Sequence, residues 1–153
     1  MLSRRLILLS LASLAACGGS PHPLPKPDQN IPLHRNETPQ LRALINKYSD
    51  HYEVPRSLTH RVIQRESRYH PSARNGPYYG LMQILPQTAR GMGFRGSPSD
   101  LLDAETNLKY GVKYLRGAWL VSDGSQDRAM TWYARGYYYE AKKRGLLKQT
   151  GLR

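Results

Sequence analysis

Cysteine is nearly absent from this chain. Cys17 is the one thiol among 153 residues, so no internal disulfide is available and the fold must hold by packing alone. Strand-type alternation of apolar and polar residues is missing throughout, which argues against a β or α/β class. No apolar run reaches the roughly 20 residues that a membrane-spanning helix needs. The five histidines (His22, His34, His51, His60 and His70) never fall at ligand spacing with a cysteine or paired acids, so no metal is expected. There is no phosphate-binding loop either: the glycines of "GMGFRG" follow no strand, and the stretch reads as a flexible connector. Acidic residues are scarce, at 11 against 23 Lys and Arg, leaving a formal net charge of +12. Such a balance suits nucleic acid, a membrane surface or an acidic polymer.

What is present begins with an export pattern. "MLSRRLILLSLASLAAC" carries Arg4 and Arg5 and then an apolar run from Leu6 to Ala16, the charged and hydrophobic regions of a secretory signal. It ends in Leu14-Ala15-Ala16-Cys17, which resembles a bacterial lipobox. On that resemblance residues 1–16 are a signal peptide and Cys17 is the lipidated first residue of the mature chain. A plain signal peptide with an incidental cysteine is the alternative. Gly18 stands where inner-membrane lipoproteins often carry aspartate, so the expected location is the outer membrane, facing the periplasm. Export argues against nucleic acid as partner and leaves the anionic polymers of the envelope, peptidoglycan among them. Residues 17–37 hold five prolines and few hydrophobics, the composition of an extended tether.

The folded domain is expected over residues 38–153, all-α and monomeric. Thr38-Pro39 reads as an N-cap followed by Pro at the first helical position, and Leu41, Leu44, Ile45 and Tyr48 share one face. A second helix runs through "VPRSLTHRVIQRES", and a short third starts at Pro86. Leu108, Val112, Leu115 and Trp119 recur at spacings of 4, 3 and 4, marking an amphipathic helix from about Asp103 to Val121. Two more helices, 125–135 and 137–144, are divided at Gly136.

One acid stands out. At about 100° per residue, Glu66 falls in the stripe of Leu58, Thr59, Val62 and Ile63, while Arg61, Arg65 and Arg68 fall on the other side. A carboxylate in that position is expected to be desolvated, which favours its protonated form and suits a general acid near neutral pH. A buried glutamate that only pins the loop, or one solvated at the last turn, fits the same pattern.

The loop beyond is more specific. Glu66-Ser67, His70-Pro71-Ser72-Ala73 and Gly80-Leu81-Met82-Gln83-Ile84, with Pro86 and Thr88-Ala89, resemble the soluble lytic transglycosylase (SLT) family of peptidoglycan-cleaving enzymes. "DAETNLKYGVKYL" and "AMTWYARG" continue the resemblance, which covers roughly residues 40 to 145. It implies a lysozyme-like helical fold with a glycan cleft and no cofactor. It also implies that Glu66 is the single catalytic acid/base, oriented by Ser67. The Gly80–Ile84 turn, with Met82, would wall the cleft, Gln83 would reach the sugar, and Tyr133 would lie near the carboxylate. The chain departs from the family at Asn75, where a contact to the substrate acetamido group is expected from Ser or Gly. It departs again at Ala134, which replaces an Asn, beside Arg135. One of Tyr137, Tyr138 and Tyr139 is expected to line the cleft.

Retaining and inverting glycosidases need two carboxylates about 5–9.5 Å apart. No second acid accompanies Glu66 in its helix or loop. The resemblance implies instead that Glu66 protonates the glycosidic oxygen and then takes the C6 hydroxyl proton, leaving 1,6-anhydro-N-acetylmuramic acid. A muramidase-type hydrolase and an inert peptidoglycan-binding lipoprotein are the alternatives.

Overall fold

A computed structural model describes residues 32–152. Cys17, the signal segment 1–16 and residues 17–31 of the tether lie outside the described residues. Six α-helices account for most of the described chain: α1 (Pro39–His51), α2 (Arg56–Glu66), α3 (Pro86–Gly91), α4 (Ala104–Leu120), α5 (Gln126–Arg135) and α6 (Tyr138–Lys143). The expected all-α, lysozyme-like architecture is the one observed.

The helix starts follow local chemistry. The Thr38 hydroxyl accepts the Leu41 N–H at 3.1 Å, with Pro39 at the first helical position. Asp103 accepts from Thr106 N at 2.8 Å to start α4, placing a carboxylate at the positive end of the helix dipole. Ahead of it, Pro98–Leu102 form a 3₁₀ turn of their own, which the sequence pattern does not separate from the coming helix.

A second difference lies in the loop. Arg74–Asn75 (β1) and Tyr78–Tyr79 (β2) pair antiparallel, where no strand was expected. Two residues per strand are too few to show a period of 2, and Gly76, at φ 58°, makes the reversal.

Helix α4 is the centre of the molecule. It packs on α1, α3, α5 and the 3₁₀ turn, and buries Leu108, Val112, Leu115 and Ala118 completely. Gly117 lets the Tyr137 ring lie against this helix, where any Cβ would collide with the phenol. The Tyr137 hydroxyl donates to Tyr114 O at 2.8 Å. A smaller cluster of Ile84, Ala89, Phe94 and Leu101 sits beneath the loop. Phe94 is therefore an anchor, and "GMGFRG" is not the loose connector expected.

Residues 34–37, assigned to the tether, lie against this domain. Arg42 donates to both Glu37 carboxylate oxygens at 2.6 Å, and Glu37 also accepts the His34 N–H. His60 Nδ1 lies 2.8 Å from the Tyr69 hydroxyl. Burial pushes His60 down to about 4 from its ordinary 6.5; Glu37 opposes the shift, while Arg42, His34 and Arg56 add to it. Between those values the unfolded chain binds a proton that the folded chain refuses. Stability is thus complete above about pH 6.5 and is lost as pH falls towards 4. Glu37, held below the usual carboxylate range by Arg42 and the His34 N–H against its burial, adds stability above its ordinary 4.5 that is lost only at lower pH. Urea unfolding at pH 5 should therefore show about 2 kcal/mol less stability than at pH 7. His60→Gln should remove most of that difference; an unchanged pH dependence in the variant would rule out His60 as its source.

Candidate active site

Glu66 is the last residue of α2, and the chain turns sharply after it. Arg68 and Tyr69 follow at φ 52° and 64°, left-handed conformations that cost L-residues roughly 1–2 kcal/mol each. The Glu66 side chain is 24% exposed, and its Oε1 accepts from Arg65 Nε at 2.9 Å and Nη2 at 2.5 Å. This corrects the expectation of a desolvated carboxylate with no arginine beside it. At the last helical turn the long Arg65 side chain is free to fold back around the helix end, which a helical projection does not capture. Among the described residues, Oε2 has no protein partner.

The loop opposite is built from backbone bonds and two side-chain amides. Asn107, fully buried on α4, accepts the Met82 N–H at 2.9 Å. It donates to Tyr79 O and Leu101 O, each at 2.8 Å. Gly80, at φ 69°, passes so close that a Cβ would strike the Asn107 amide and Leu101 O. Gln83 Nε2 donates to Ala73 O at 3.1 Å and Gly80 O at 2.8 Å, closing the loop on itself. Tyr133 donates its hydroxyl to Met82 O at 2.7 Å. Burial first, and then the Glu66 charge, push the Tyr133 phenol well above its usual range. Tyr133 is therefore within the electrostatic reach of Glu66.

A pocket of about 210 Å³ opens beside Tyr133, lined also by Tyr78, Gln83, Ile84, Leu85, Thr88, Tyr114, Ala134, Arg135 and Gly136. Arg135 is the one charged residue in that lining. Its guanidinium rests over the Trp132 ring at 4.4 Å, with no acid partner among the described residues.

The expected site residues divide accordingly. Tyr133 and Gln83 share the pocket, but the Gln83 amide nitrogen braces the loop, so the Gln83 carbonyl oxygen is the atom free for a ligand. The Ser67 hydroxyl donates to Ile63 O at 3.3 Å and makes no bond to Glu66. Met82 is fully buried and Gly80 lies within the loop frame, so both shape the wall and neither presents a side chain to a ligand. Asn75 is exposed in β1, outside the pocket lining. None of Tyr137, Tyr138 and Tyr139 lines the pocket: Tyr137 is core, and the other two face solvent. The aromatic residues there are Tyr78, Tyr114 and Tyr133. Tyr78 is visible in the sequence as part of the unusual "NGPYYG" loop, and Tyr114 lies within the "DAETNLKYGVKYL" stretch of the resemblance, though it is not among the expected site residues.

Folding also brings together His34, Glu37 and His60, whose ligand atoms lie within 4.8 Å of one another. Linear spacing hides this cluster. Arg42 grips both Glu37 oxygens and already supplies the positive charge there, so a polar interior bridge accounts for the arrangement without a cation.

Each remaining carboxylate among the described residues is committed elsewhere. Asp50, Glu53, Asp127 and Glu140 pair with Arg56, Arg116, Arg61 and Arg144, and Glu105 pairs with Lys47. Asp123 pairs with Arg144, Asp100 bonds Ser97, and Asp103 caps α4. Among the described acids Glu66 alone acts on the Tyr133 phenol through its charge, and it lies outside the pocket lining.

Residues 43–149 match the sequence model of the family described as "Transglycosylase SLT domain". Among curated proteins, the soluble lytic murein transglycosylase of Escherichia coli K12 is 31% identical over 96 residues, covering 58% of this chain and 14% of its own length. Membrane-bound lytic murein transglycosylase C of Serratia proteamaculans is 36% identical over 96 residues, covering 57% and 27%. Membrane-bound lytic murein transglycosylase F of Shewanella woodyi is 35% identical over 128 residues, covering 73% and 26%. The chain thus spans between 14% and 27% of the length of these relatives.

Asn107 gives the site's sharpest stability test. Asn107→Ala leaves the Met82 N–H and the Leu101 carbonyl unpaired in the interior, at about 1–3 kcal/mol for each orphaned group, and removes the second of two bonds to Tyr79 O, which keeps the Ile84 N–H. A loss of about 3 kcal/mol or more in urea unfolding is expected; a change under about 1 kcal/mol would mean that the loop stands without this brace.

Proposed function

This chain belongs to the Transglycosylase SLT domain family, and from that premise we propose that it is a peptidoglycan lytic transglycosylase with Glu66 as its only acid and base. The observation that carries the reading is the solitary carboxylate: Glu66 ends α2 with Oε2 unbonded and its charge acts on the pocket residue Tyr133, although Glu66 itself is not part of the pocket lining, while every other described acid is bonded on another element. Among the described residues a two-carboxylate hydrolase has no second uncommitted acid to use here.

In the proposed reaction, the protonated Glu66 gives its proton to the oxygen between N-acetylmuramic acid and N-acetylglucosamine as the C1–O bond breaks. The substrate's own acetamido oxygen stabilises the electron-poor C1. Glu66, now a carboxylate, takes the C6 hydroxyl proton while O6 bonds to C1. One residue has then released and recovered one proton, and no water is consumed. Oε2, which accepts no hydrogen bond from a described residue, is the oxygen open to this exchange. Two of the relatives carry "membrane-bound" in their names. A lipidated Cys17 in the outer membrane, with a monomeric domain facing the wall, belongs to the same proposal.

Mass spectrometry of digested sacculi should show muropeptides one water lighter than hydrolysis products. Glu66→Gln should lower their release by at least about 10²–10⁴-fold while sacculus binding persists. Ordinary reducing ends from the wild-type protein would make it a muramidase, and binding without any cleavage would make it a wall anchor.

Arg135 extends the reading to the acidic parts of the wall. An unpaired cation stiffened by Trp132 at the rim of an otherwise uncharged pocket suits a carboxylate of the lactyl or peptide moiety. Arg135→Ala should raise KM for sacculi several-fold with kcat within about twofold, and added salt should shrink the difference. An unchanged KM at low salt would remove Arg135 from substrate binding.

A further inference from the structure

We propose that residues 34–37, the last stretch of the tether, form a strap that positions Glu66. The proposal rests on Glu66 being the catalytic acid and adds to it a group of residues that never touch substrate.

The strap meets the turn that follows Glu66 at each of its unusual positions. Asn36 Nδ2 donates to Arg68 O at 3.2 Å and lies 3.1 Å from His70 Nε2. The His34 ring stacks on Tyr69, with centroids 4.7 Å apart and planes at 16°. Behind this face, Tyr69 is fully buried with its hydroxyl on His60 of α2. The strap is itself moored: Glu37 closes back onto the His34 N–H and is gripped by Arg42 of α1. Arg42 reaches further, to Pro32 O at 3.2 Å.

These contacts fall where the backbone needs outside support. Arg68 and Tyr69 are successive left-handed residues, a conformation the local sequence does not favour and the surroundings must enforce. Within the turn, Arg68 N–H reaches Ile63 O at 3.0 Å and His70 N–H reaches Ser67 O at 3.2 Å. If the strap lifts, Arg68 O and one face of Tyr69 lose their partners, and the turn can relax towards ordinary helix. Glu66, one residue upstream of its start, would then shift relative to the pocket. A displacement of about 1 Å at a reacting group can cost 10²-fold in rate.

The test is the double variant His34→Ala/Asn36→Gly in the full chain. Both side chains are exposed, and glycine accepts the positive φ of residue 36 (70° in Asn36), so the helical core should survive. The expected result is a kcat about tenfold or more below wild type with KM unchanged, at a temperature where both proteins are fully folded by circular dichroism. His34→Phe, which keeps the stack, should retain wild-type kcat. Unchanged kcat in the double variant, or a loss that appears only as KM, overturns the strap. A second measurement is independent of activity: amide hydrogen exchange at Arg68 and His70 should be about tenfold faster in the double variant, with α4 unaffected. Unchanged exchange there overturns the strap even if the protein proves to cleave nothing. Conversely, faster exchange without any wild-type cleavage keeps the strap as a support of this turn and overturns its catalytic consequence together with the proposed function.

Discussion

Asn107 is the joint on which the site depends. Its amide, wholly out of solvent on the most buried helix, satisfies one N–H and two carbonyls of the segments that pass over α4. An apolar residue of similar size would fill the same space and orphan the Met82 N–H and the Leu101 carbonyl, leaving Tyr79 O with the Ile84 N–H alone, so the interior demands this polarity. From Asn107 the constraint passes to Met82, whose carbonyl takes the Tyr133 hydroxyl, and so to the pocket wall. Gln83 repeats the device on a smaller scale by tying Ala73 to Gly80. A loop with only two residues in each of its strands thereby holds its shape through these amides together with the buried Leu81, Met82 and Ile84.

Charge distribution separates a structural from a chemical use of acids. With 11 acids against 23 Lys and Arg, this chain commits nearly every described carboxylate to an intramolecular partner. Many of these pairs are exposed and each adds at most about 1 kcal/mol, but together they leave no spare anion near the pocket. The surplus is all cationic. Arg135 holds the part of it that reaches the pocket rim, stacked on Trp132 and uncompensated. A surface of that kind attracts an acidic polymer over a distance and orients it at contact.

How much of this was legible from the residues depends on the range of the information. The cap at Thr38, the start of α4 near Asp103, its apolar stripe and the break at Gly136 are local, and all appear as read. Glu66 and Tyr133 are singled out by ordered motifs. What failed was side-chain direction. Helical projection placed Arg65 away from Glu66, yet a helix end lets a long side chain double back. Met82 sits in a loop motif but points inward, and the three consecutive tyrosines divide between core and solvent. The grouping of His34, Glu37 and His60 joins the end of the tether to the middle of α2 across the whole of α1, a tertiary fact that spacing cannot carry.

A single acid/base puts its demand on position. In a two-carboxylate enzyme each group serves one face of the sugar; in the proposed reaction one carboxylate must reach the glycosidic oxygen and then the C6 hydroxyl of the same ring. That argues for a residue whose backbone is fixed and whose carboxylate retains one open oxygen. Glu66 has both features: Arg65 occupies Oε1 and leaves Oε2 clear, while the left-handed turn behind it is locked from beneath by His60 and from outside by His34 and Asn36. The strain in Arg68 and Tyr69 then has a physical reason. An unstrained continuation of α2 would carry the helix on past Glu66, whereas the left-handed pair leaves Glu66 as its last residue. The contacts that run from Arg42 through Glu37 and His60 to Tyr69 hold that turn in place.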